Sequence, residues 1–216
     1  IVVLSKLSIV YPKLDSLDAA WYSEFNNCFS DESVERIELN VAPGDFQISR
    51  SAAINLATRE FVTSPDPDDT FDLSVYSEGV RYLLTYPNIA AVTFLEEWYD
   101  ERGGTITPMR AEPITAGDVF KTPVSMHSAT IFRTALLKEA VAKLNMFRFR
   151  RYDWALRIYI AGNYPIHRIP KVGYRYRIHD AGIRKLVLDV DGWIESRDTY
   201  AVINAAQLLS HPWKSG

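Results

Sequence analysis

The sequence REFVTSPDPDDT, from Arg59 to Thr70, gives the strongest indication of fold and chemistry in this chain. A short apolar run is followed directly by Asp66, Asp68 and Asp69. An apolar strand that ends in clustered carboxylates brings negative charge to the edge of a sheet, where a cation can offset it. Mg2+ and Mn2+ take oxygen ligands, usually one or two carboxylates with phosphate oxygens and water. The segment therefore indicates a metal site for a nucleotide diphosphate or, alternatively, a solvated acidic turn.

The residues before this segment predict a β-α-β unit. Residues 1–11 have the apolar and β-branched composition of one or two strands, which Pro12 ends. A helix follows, capped by Asp15 or Ser16, and Arg36–Val41 forms the next strand. This order is typical of a parallel sheet, which binds ligands beyond the carboxyl ends of its strands.

Helices and strands continue to alternate through most of the chain. Proline and glycine make the segment from Pro108 to Pro123 the least regular part. The predicted elements are, in order, helix Ser49–Ala57, strand Glu60–Ser64, helix Leu73–Leu84, strand Ile89–Trp98, a hairpin turn at 102–105, strand Ile106–Met109, strand Met126–Phe132, helix Leu136–Leu144, a helix around Trp154–Tyr159, strand Ile166–Ile178 and helix Glu195–Leu209.

The composition excludes several classes of site. The 216 residues, 47% of them hydrophobic, can bury the core of one domain. A net charge of -3 gives no general attraction to nucleic acid or anionic membranes. Cys28 is the only cysteine, which excludes an intramolecular disulfide and a cysteine-based metal site. No apolar stretch approaches the roughly 18 residues of a membrane span, so we expect a soluble, cytoplasmic protein.

The segment ISRSAAINLATREFVTSPDPDDTF, from Ile48 to Phe71, resembles without a gap part of the family 2 glycosyltransferases, which have the GT-A fold. In that family a helix with an Arg-Asn pair, a buried strand and an "LDaDD" turn follow one another. Here Arg50 stands at the Arg and Ser51 at the Asn. The family's DxD motif falls on Asp66 and Asp68.

A second part of the chain resembles the acceptor-side half of the same family. The matching segments are SATIFRTALL, from Ser128 to Leu137, and RRYDWALRIYIAGNYPIHRIPKVGYRYRIHDAG, from Arg150 to Gly182. The resemblance implies an α/β GT-A fold, with a single Rossmann-like mixed β-sheet flanked by helices. It further implies one domain over 1–216, with a nucleotide-binding half at about 1–100, an acceptor-side half at about 101–190 and a C-terminal helix at about 195–210.

The resemblance implies a glycosyltransferase that uses a UDP- or GDP-sugar with Mn2+ or Mg2+. Asp68 would hold the metal, Asp66 the metal or the ribose, and Arg50 would lie near the phosphates. His179, where the family often has "YRxH", would complete the metal site or serve as a hydrogen-bonded structural histidine. Asn40 would contact the nucleobase or be an ordinary strand-end residue, because the acidic run that the family has here is missing.

The sequence departs from the family at the acidic pair that usually supplies the catalytic base. Arg150 and Arg151 occupy those positions, and a guanidinium cannot act as a base. Asp153 is the nearest carboxylate and a candidate base; another carboxylate, His127 or no working base are the alternatives. The two arginines suit a phosphate-bearing acceptor, such as nucleic acid or a phosphorylated glycan or lipid, or form an exposed helix start.

Two other classes of function stay open at this point. The altered acidic pair and base-binding loop would also fit a noncatalytic GT-A-like module that binds a glycan or a protein. A metal-dependent nucleotidyltransferase would use a similar metal site. The chain contains no G-x-G-x-x-G, P-loop, HExxH or G-x-S-x-G motif, so the enzyme classes that depend on those motifs lack their usual signature.

Overall fold

The computed structural model describes residues 3–13, 18–29, 31–40, 46–111, 114–121, 128–145 and 152–179. Within these ranges the chain forms eight strands and six α-helices, and a short 3-10 helix over Leu4–Lys6 precedes the first strand. The strands are β1 (Leu7–Lys13), β2 (Glu35–Asn40), β3 (Phe61–Thr63), β4 (Thr70–Phe71), β5 (Ala91–Asp100), β6 (Thr105–Ala111), β7 (Thr130–Arg133) and β8 (Ile166–Ile178). The helices are α1 (Ala19–Asn27), α2 (Phe46–Leu56), α3 (Leu73–Thr85), α4 (Ala116–Lys121), α5 (Thr134–Leu144) and α6 (Tyr152–Asn163).

The strands of the described residues form one mixed sheet in the order β2-β1-β3-β7-β5-β8-β4, with β6 paired to β5 outside this path. β1 lies parallel to β2 and β3, and β5 lies parallel to β8. β7 is antiparallel to both β3 and β5, and β4 is antiparallel to β8. The predicted architecture, a single mixed β-sheet flanked by helices, is confirmed.

Two hydrophobic cores cover the two faces of this sheet. One joins the sheet to α2, α5 and α6, and the other joins it to α1 and α3. Successive strand residues alternate between the cores: Val10 belongs to the first and Ile9 to the second, as do Val62 and Phe61. This is the period of two that a pleated strand imposes. Burying each such side chain contributes roughly 1.5–3 kcal/mol, so both faces hold the sheet in place.

β1 differs from its prediction because Pro12 does not end it. The strand runs through Pro12 to Lys13 and pairs with β2 along its length. Its pairing with β3, in contrast, stops at Ile9. Beyond Ile9 the N–H groups on that side of β1 have no strand partner among the described residues, and a strand edge of this kind tolerates a proline.

Two helices also differ from their predictions. α1 is capped by Asp18, whose Oδ1 accepts the Ala20 N–H at 2.7 Å, so the cap lies after the predicted Asp15 or Ser16. The segment predicted to be irregular contains α4, which packs on α6 through the Trp154 indole N–H that donates to the Val119 carbonyl at 2.9 Å. The predicted C-terminal helix lies outside the described residues.

The elements on either side of the acidic segment, the stretch that contains Asp66, Asp68 and Asp69, follow their predictions closely. α2 and β3 correspond to the predicted helix and strand, and β8 matches Ile166–Ile178 at both ends. The two-residue strand β4 was not predicted. Thr70 pairs with Arg175 and Phe71 with Tyr174, which attaches the end of the acidic segment to β8. None of the helices in the described part of the chain combines the length and apolar character needed to cross a membrane.

Candidate functional site

The acidic segment forms a turn between β3 and β4. Within the turn the Asp69 N–H donates to the Asp66 carbonyl at 3.2 Å. The side chains of Asp66 and Asp68 are 36% and 23% exposed, whereas Asp69 is 1% exposed. Two carboxylates of this acidic turn, as we call residues 66–69, are therefore accessible to a ligand, and the third belongs to the interior.

Asp69 attaches the acidic turn to β8. Its Oδ2 accepts the Tyr174 hydroxyl at 2.6 Å, and its Oδ1 accepts the Arg177 main-chain N–H at 2.6 Å. Burial, with the nearby carboxylates of Asp68 and Asp66, raises the pKa of Asp69 well above its ordinary value, while these two hydrogen bonds lower it. The Tyr174 hydroxyl in turn accepts the Asp66 N–H at 3.2 Å. These contacts fix the backbone of the turn.

Asp66 lies between a cation and a hydroxyl. Its Oδ1 accepts from Arg50 Nη2 at 3.0 Å, and its Oδ2 accepts from the Ser128 hydroxyl at 3.1 Å. Arg50 Nη1 lies 3.5 Å from Asp153 Oδ2, so one guanidinium bridges carboxylates from the acidic turn and from α6. Burial raises the pKa of Asp66 to about 6; the charge of Arg50 opposes this rise, and the charges of Asp68 and Asp153 add to it.

Arg50 remains charged in this setting. Burial lowers the pKa of its guanidinium, but the carboxylates of Asp66 and Asp153 outweigh that effect, and the pKa is raised overall. Arg50 is thus shared by the carboxylates of Asp66 and Asp153. A third carboxylate, that of Asp68, lies two residues after Asp66 in the sequence. The cluster retains an excess of negative charge, which a bound cation would offset.

Asp68 faces a histidine from the end of β8. Its Oδ2 lies 3.1 Å from His179 Nε2, and the His179 ring packs against the Trp21 ring at a centroid distance of 4.7 Å. The histidine side chain is only 6% exposed. Its Nδ1 is buried, with no hydrogen-bond partner among the described residues. Within the described part of the chain, the imidazole is therefore held by packing against Trp21 and by the contact of Nε2 with Asp68.

Asp68 and His179 offer an oxygen and a nitrogen ligand of the kinds that divalent cations take. The 3.1 Å between Asp68 Oδ2 and His179 Nε2 is a hydrogen-bond distance, and an ion bound by both atoms would replace this hydrogen bond. Carboxylate oxygen suits Mn2+ and Mg2+, and the imidazole nitrogen favours the transition-metal ion of the two. No group of three or more histidine, cysteine or acidic side chains placed to hold a metal occurs in the described ranges. Phosphate oxygens and water would have to supply the other ligands, as is usual for these ions.

The structure brings most of the predicted site residues together. Arg50, Asp66 and Asp153 form one cluster, and Asp68 and His179 form the adjoining pair. Asn40 is the last residue of β2, and its side chain lies outside the described part of the structure. Arg150 and Arg151, predicted to bind the acceptor, and His127, an alternative base, also lie outside the described residues.

Several residues at the site were not predicted. Ser128 and Tyr174 bind the acidic turn directly, and Trp21 supports His179. Arg177 donates from Nε to the Asp68 carbonyl at 2.9 Å and from Nη2 to Glu24. In the sequence Arg177 is one of several basic residues of β8, and only the pairing of β4 with β8 explains why this one reaches the turn.

Comparison with known proteins identifies the fold. No protein-family model matches the chain, and a search of curated proteins finds no match. Among solved structures, TarS 1–349 of S. aureus in complex with UDP-GlcNAc is similar over 94% of this chain and 66% of that one, with 16% identity and a TM-score of 0.60. A longer TarS structure covers 98% of this chain, which spans 45% of it, with 16% identity and a TM-score of 0.54.

A second similar structure is the mannosyltransferase PcManGT from Pyrobaculum calidifontis in complex with GDP-Man and Mn2+. The similarity covers 95% of this chain and 74% of that one, with 12% identity and a TM-score of 0.51. At these identities the likeness establishes the shared fold. The chain therefore has the GT-A fold of these glycosyltransferases.

Proposed function

We propose that this protein is a glycosyltransferase that uses a UDP- or GDP-sugar together with Mn2+ or Mg2+. The observation that carries the proposal is the acidic turn of a GT-A fold, which pairs Asp68 with His179 and joins Asp66 to Asp153 through Arg50. The similar structures hold UDP-GlcNAc in one case and GDP-Man with Mn2+ in the other, which supports a nucleotide-sugar donor here.

The donor diphosphate would lie between Arg50 and the Asp68–His179 pair. The guanidinium of Arg50 can donate to phosphate oxygens in charge-assisted hydrogen bonds. Asp66, oriented by Arg50 and Ser128, would contact the ribose or the metal. A divalent ion held by Asp68 and His179 would supply positive charge against the charge that develops on the leaving diphosphate. Asn40, at the end of β2, is our candidate for the nucleobase contact.

Asp153 is the proposed catalytic base. It lies in the first turn of α6, and about a third of its side chain is exposed. Because Asp153 Oδ2 faces Arg50, we assign Asp153 Oδ1 as the atom that takes the proton from the acceptor hydroxyl. Transfer of that proton as the hydroxyl attacks the sugar is the step that general-base catalysis accelerates. Arg50 holds Asp153 and Asp66 together, so the base would be positioned next to the donor site.

We further propose that Arg150 and Arg151 bind an anionic acceptor. They immediately precede α6, the helix that carries Asp153. A phosphate-bearing acceptor would give each arginine a charge-assisted contact. Replacing both with the Glu-Asp pair typical of the family should weaken such an acceptor and flatten the salt dependence of its binding, with no change in donor affinity. If the double variant keeps the acceptor affinity and the salt dependence of the wild type, Arg150 and Arg151 do not bind the acceptor.

A calorimetric titration followed by product analysis tests the proposal. We expect UDP-GlcNAc or GDP-Man to bind in the presence of Mn2+, and Asp68→Ala to lose that binding. Slow release of UDP or GDP from the donor would identify a transferase. Release of pyrophosphate would indicate a nucleotidyltransferase instead, and donor binding without hydrolysis or transfer would indicate a noncatalytic module. Two features of the sequence support the noncatalytic alternative: Arg150 and Arg151 stand at the usual acidic pair, and the acidic run of the base-binding loop near Asn40 is missing.

A further inference from the structure

Arg177 of β8 contacts the acidic turn with two different groups. Its main-chain N–H donates to Asp69 Oδ1 at 2.6 Å, and its side-chain Nε donates to the Asp68 carbonyl at 2.9 Å. The side chain is 3% exposed although it carries a full charge. A cation this deeply buried is tolerated only where its charge and its donors are matched.

A cage of three side chains provides that match. Glu24 of α1 accepts from Arg177 Nη2, and the rings of Trp21 and Tyr99 each lie 4.9 Å from the guanidinium carbon. Contacts of this kind between a guanidinium and aromatic faces stabilise the cation. The cage comes from α1 on one side and from β5 on the other, so Arg177 has little freedom to leave the Asp68 carbonyl.

The same cage reaches the candidate metal pair. Trp21 contacts both the Arg177 guanidinium and the His179 ring, two side chains that lie two residues apart. Arg177 thus fixes the main chain of Asp68, while Trp21 packs against the histidine that faces its carboxylate. The same cage therefore orients both Asp68 and His179. In the described structure Arg177 contacts the main-chain carbonyl of Asp68 and not its carboxylate.

We propose that Arg177 is a positioning residue that holds the Asp68 main chain so that the Asp68 carboxylate stays beside His179, where the two side chains can share a divalent cation. This inference rests on the proposed function. It assigns to a buried arginine on β8 a role in metal affinity that does not involve contact with the metal or with the donor. Glu24 shares the role, because its carboxylate holds the far end of the same guanidinium.

Arg175 provides a matched control two residues earlier on the same strand. Its guanidinium stacks on the same Tyr99 ring, at 4.6 Å, and its Nε donates to Glu97 at 2.6 Å. The side chain is 44% exposed and makes no hydrogen bond to the acidic turn in the described structure. Arg175 thus reproduces the ring contact and the ion pair of Arg177 but lacks the contact with Asp68.

The test measures Mn2+ affinity by electron paramagnetic resonance in the presence of UDP or GDP. The proteins are the wild type, Arg177→Lys, Glu24→Gln and Arg175→Gln, each held well below the melting temperature determined for it by circular dichroism. A lysine keeps the charge but carries all of its donors on one nitrogen, so it cannot reproduce the separate Nε and Nη2 contacts of the arginine. We expect Arg177→Lys to weaken Mn2+ binding about tenfold, Glu24→Gln to weaken it about threefold, and Arg175→Gln to stay within twofold of the wild type.

Each outcome decides one question. Wild-type affinity in folded Arg177→Lys, or an equal loss in Arg175→Gln, would overturn the positioning role while leaving the proposed function intact. If Arg177→Lys does not fold, Glu24→Gln decides, because more than half of the Glu24 side chain is exposed and its loss should be tolerated. Failure of the wild type itself to bind Mn2+ with either nucleotide would overturn the proposed function, and this inference with it.

Discussion

Arg50 of α2 and Arg177 of β8 both contact the acidic turn, but they do so in different ways. Arg50 contacts carboxylates, Asp66 and Asp153, each of which is about a third exposed. Arg177 contacts the main chain of Asp68, and its side chain, which is 3% exposed, packs against the rings of Trp21 and Tyr99. Arg50 can exchange its carboxylate partners for the phosphates of a donor, whereas Arg177 cannot leave its partners without disturbing the fold. One arginine therefore belongs to the binding surface and the other to its support.

The largest effect is expected at Asp153, the α6 carboxylate that Arg50 contacts, and it concerns the rate of reaction. Asp153→Asn removes the proposed base but keeps the shape of the side chain, so transfer or donor hydrolysis should slow by about 10²–10⁴-fold. Donor affinity should change by no more than about threefold, because the donor contacts lie at the acidic turn. Steady-state rates and calorimetry measure the two quantities. A full rate in the variant would assign the base to another residue.

Arg177→Ala should reduce the free energy of unfolding by about 2–3 kcal/mol. The substitution leaves the Asp68 carbonyl without its donor and empties the space between the Trp21 and Tyr99 rings. Urea denaturation followed by tryptophan fluorescence gives the value. A loss below about 0.5 kcal/mol would mean that the cage does not support the turn.

Arg50→Ala, in contrast to Arg177→Ala, should affect donor affinity more than the free energy of unfolding. We expect nucleotide-sugar affinity to fall about tenfold, because a charge-assisted contact with the diphosphate is lost. The free energy of unfolding should change by less than about 1 kcal/mol, since Asp66 and Asp153 are exposed enough to be hydrated. If Arg50→Ala proves as destabilising as Arg177→Ala, the distinction between binding surface and support is wrong.

The smallest effect is expected at Arg175. Its pair with Glu97 lies at the surface, where salt bridges contribute little. Arg175→Gln should change the free energy of unfolding by no more than about 0.5 kcal/mol in the same denaturation experiment. A loss comparable to that of Arg177→Ala would show that stacking on Tyr99, which the two arginines share, is the dominant contribution.

The sequence predicts the elements whose pattern is local. β8 is bounded by a proline and by the end of a β-branched and aromatic run, so both of its ends could be predicted. β4 could not, because two residues become a strand only through their pairing with β8. Pro12 was misassigned as a strand end because the sequence does not show that β3 stops pairing with β1 at Ile9.

For the candidate site, too, the residues that are close in sequence could be predicted, and the contacts between distant segments could not. Arg50, Asp66 and Asp68 lie within one continuous segment, and the resemblance placed them together. The contacts of Asp69 with Tyr174 and Arg177 span 105 and 108 residues, so no local pattern indicates them. The Arg50–Asp153 bridge likewise requires α2 and α6 to pack against the same face of the sheet, which only the folded chain shows.

A thermal-shift screen of UDP- and GDP-sugars tests metal-dependent donor binding at Asp68 most directly. The wild type and Asp68→Ala are each heated with every donor, with and without Mn2+. A ligand that binds the folded state at about 100 times its Kd stabilises it by about 2.7 kcal/mol, which corresponds to roughly 5 °C or more for a chain of this size. We predict such a shift for at least one donor, only with Mn2+ and only in the wild type. No Mn2+-dependent shift with any donor, or an equal shift in Asp68→Ala, would contradict the proposed function.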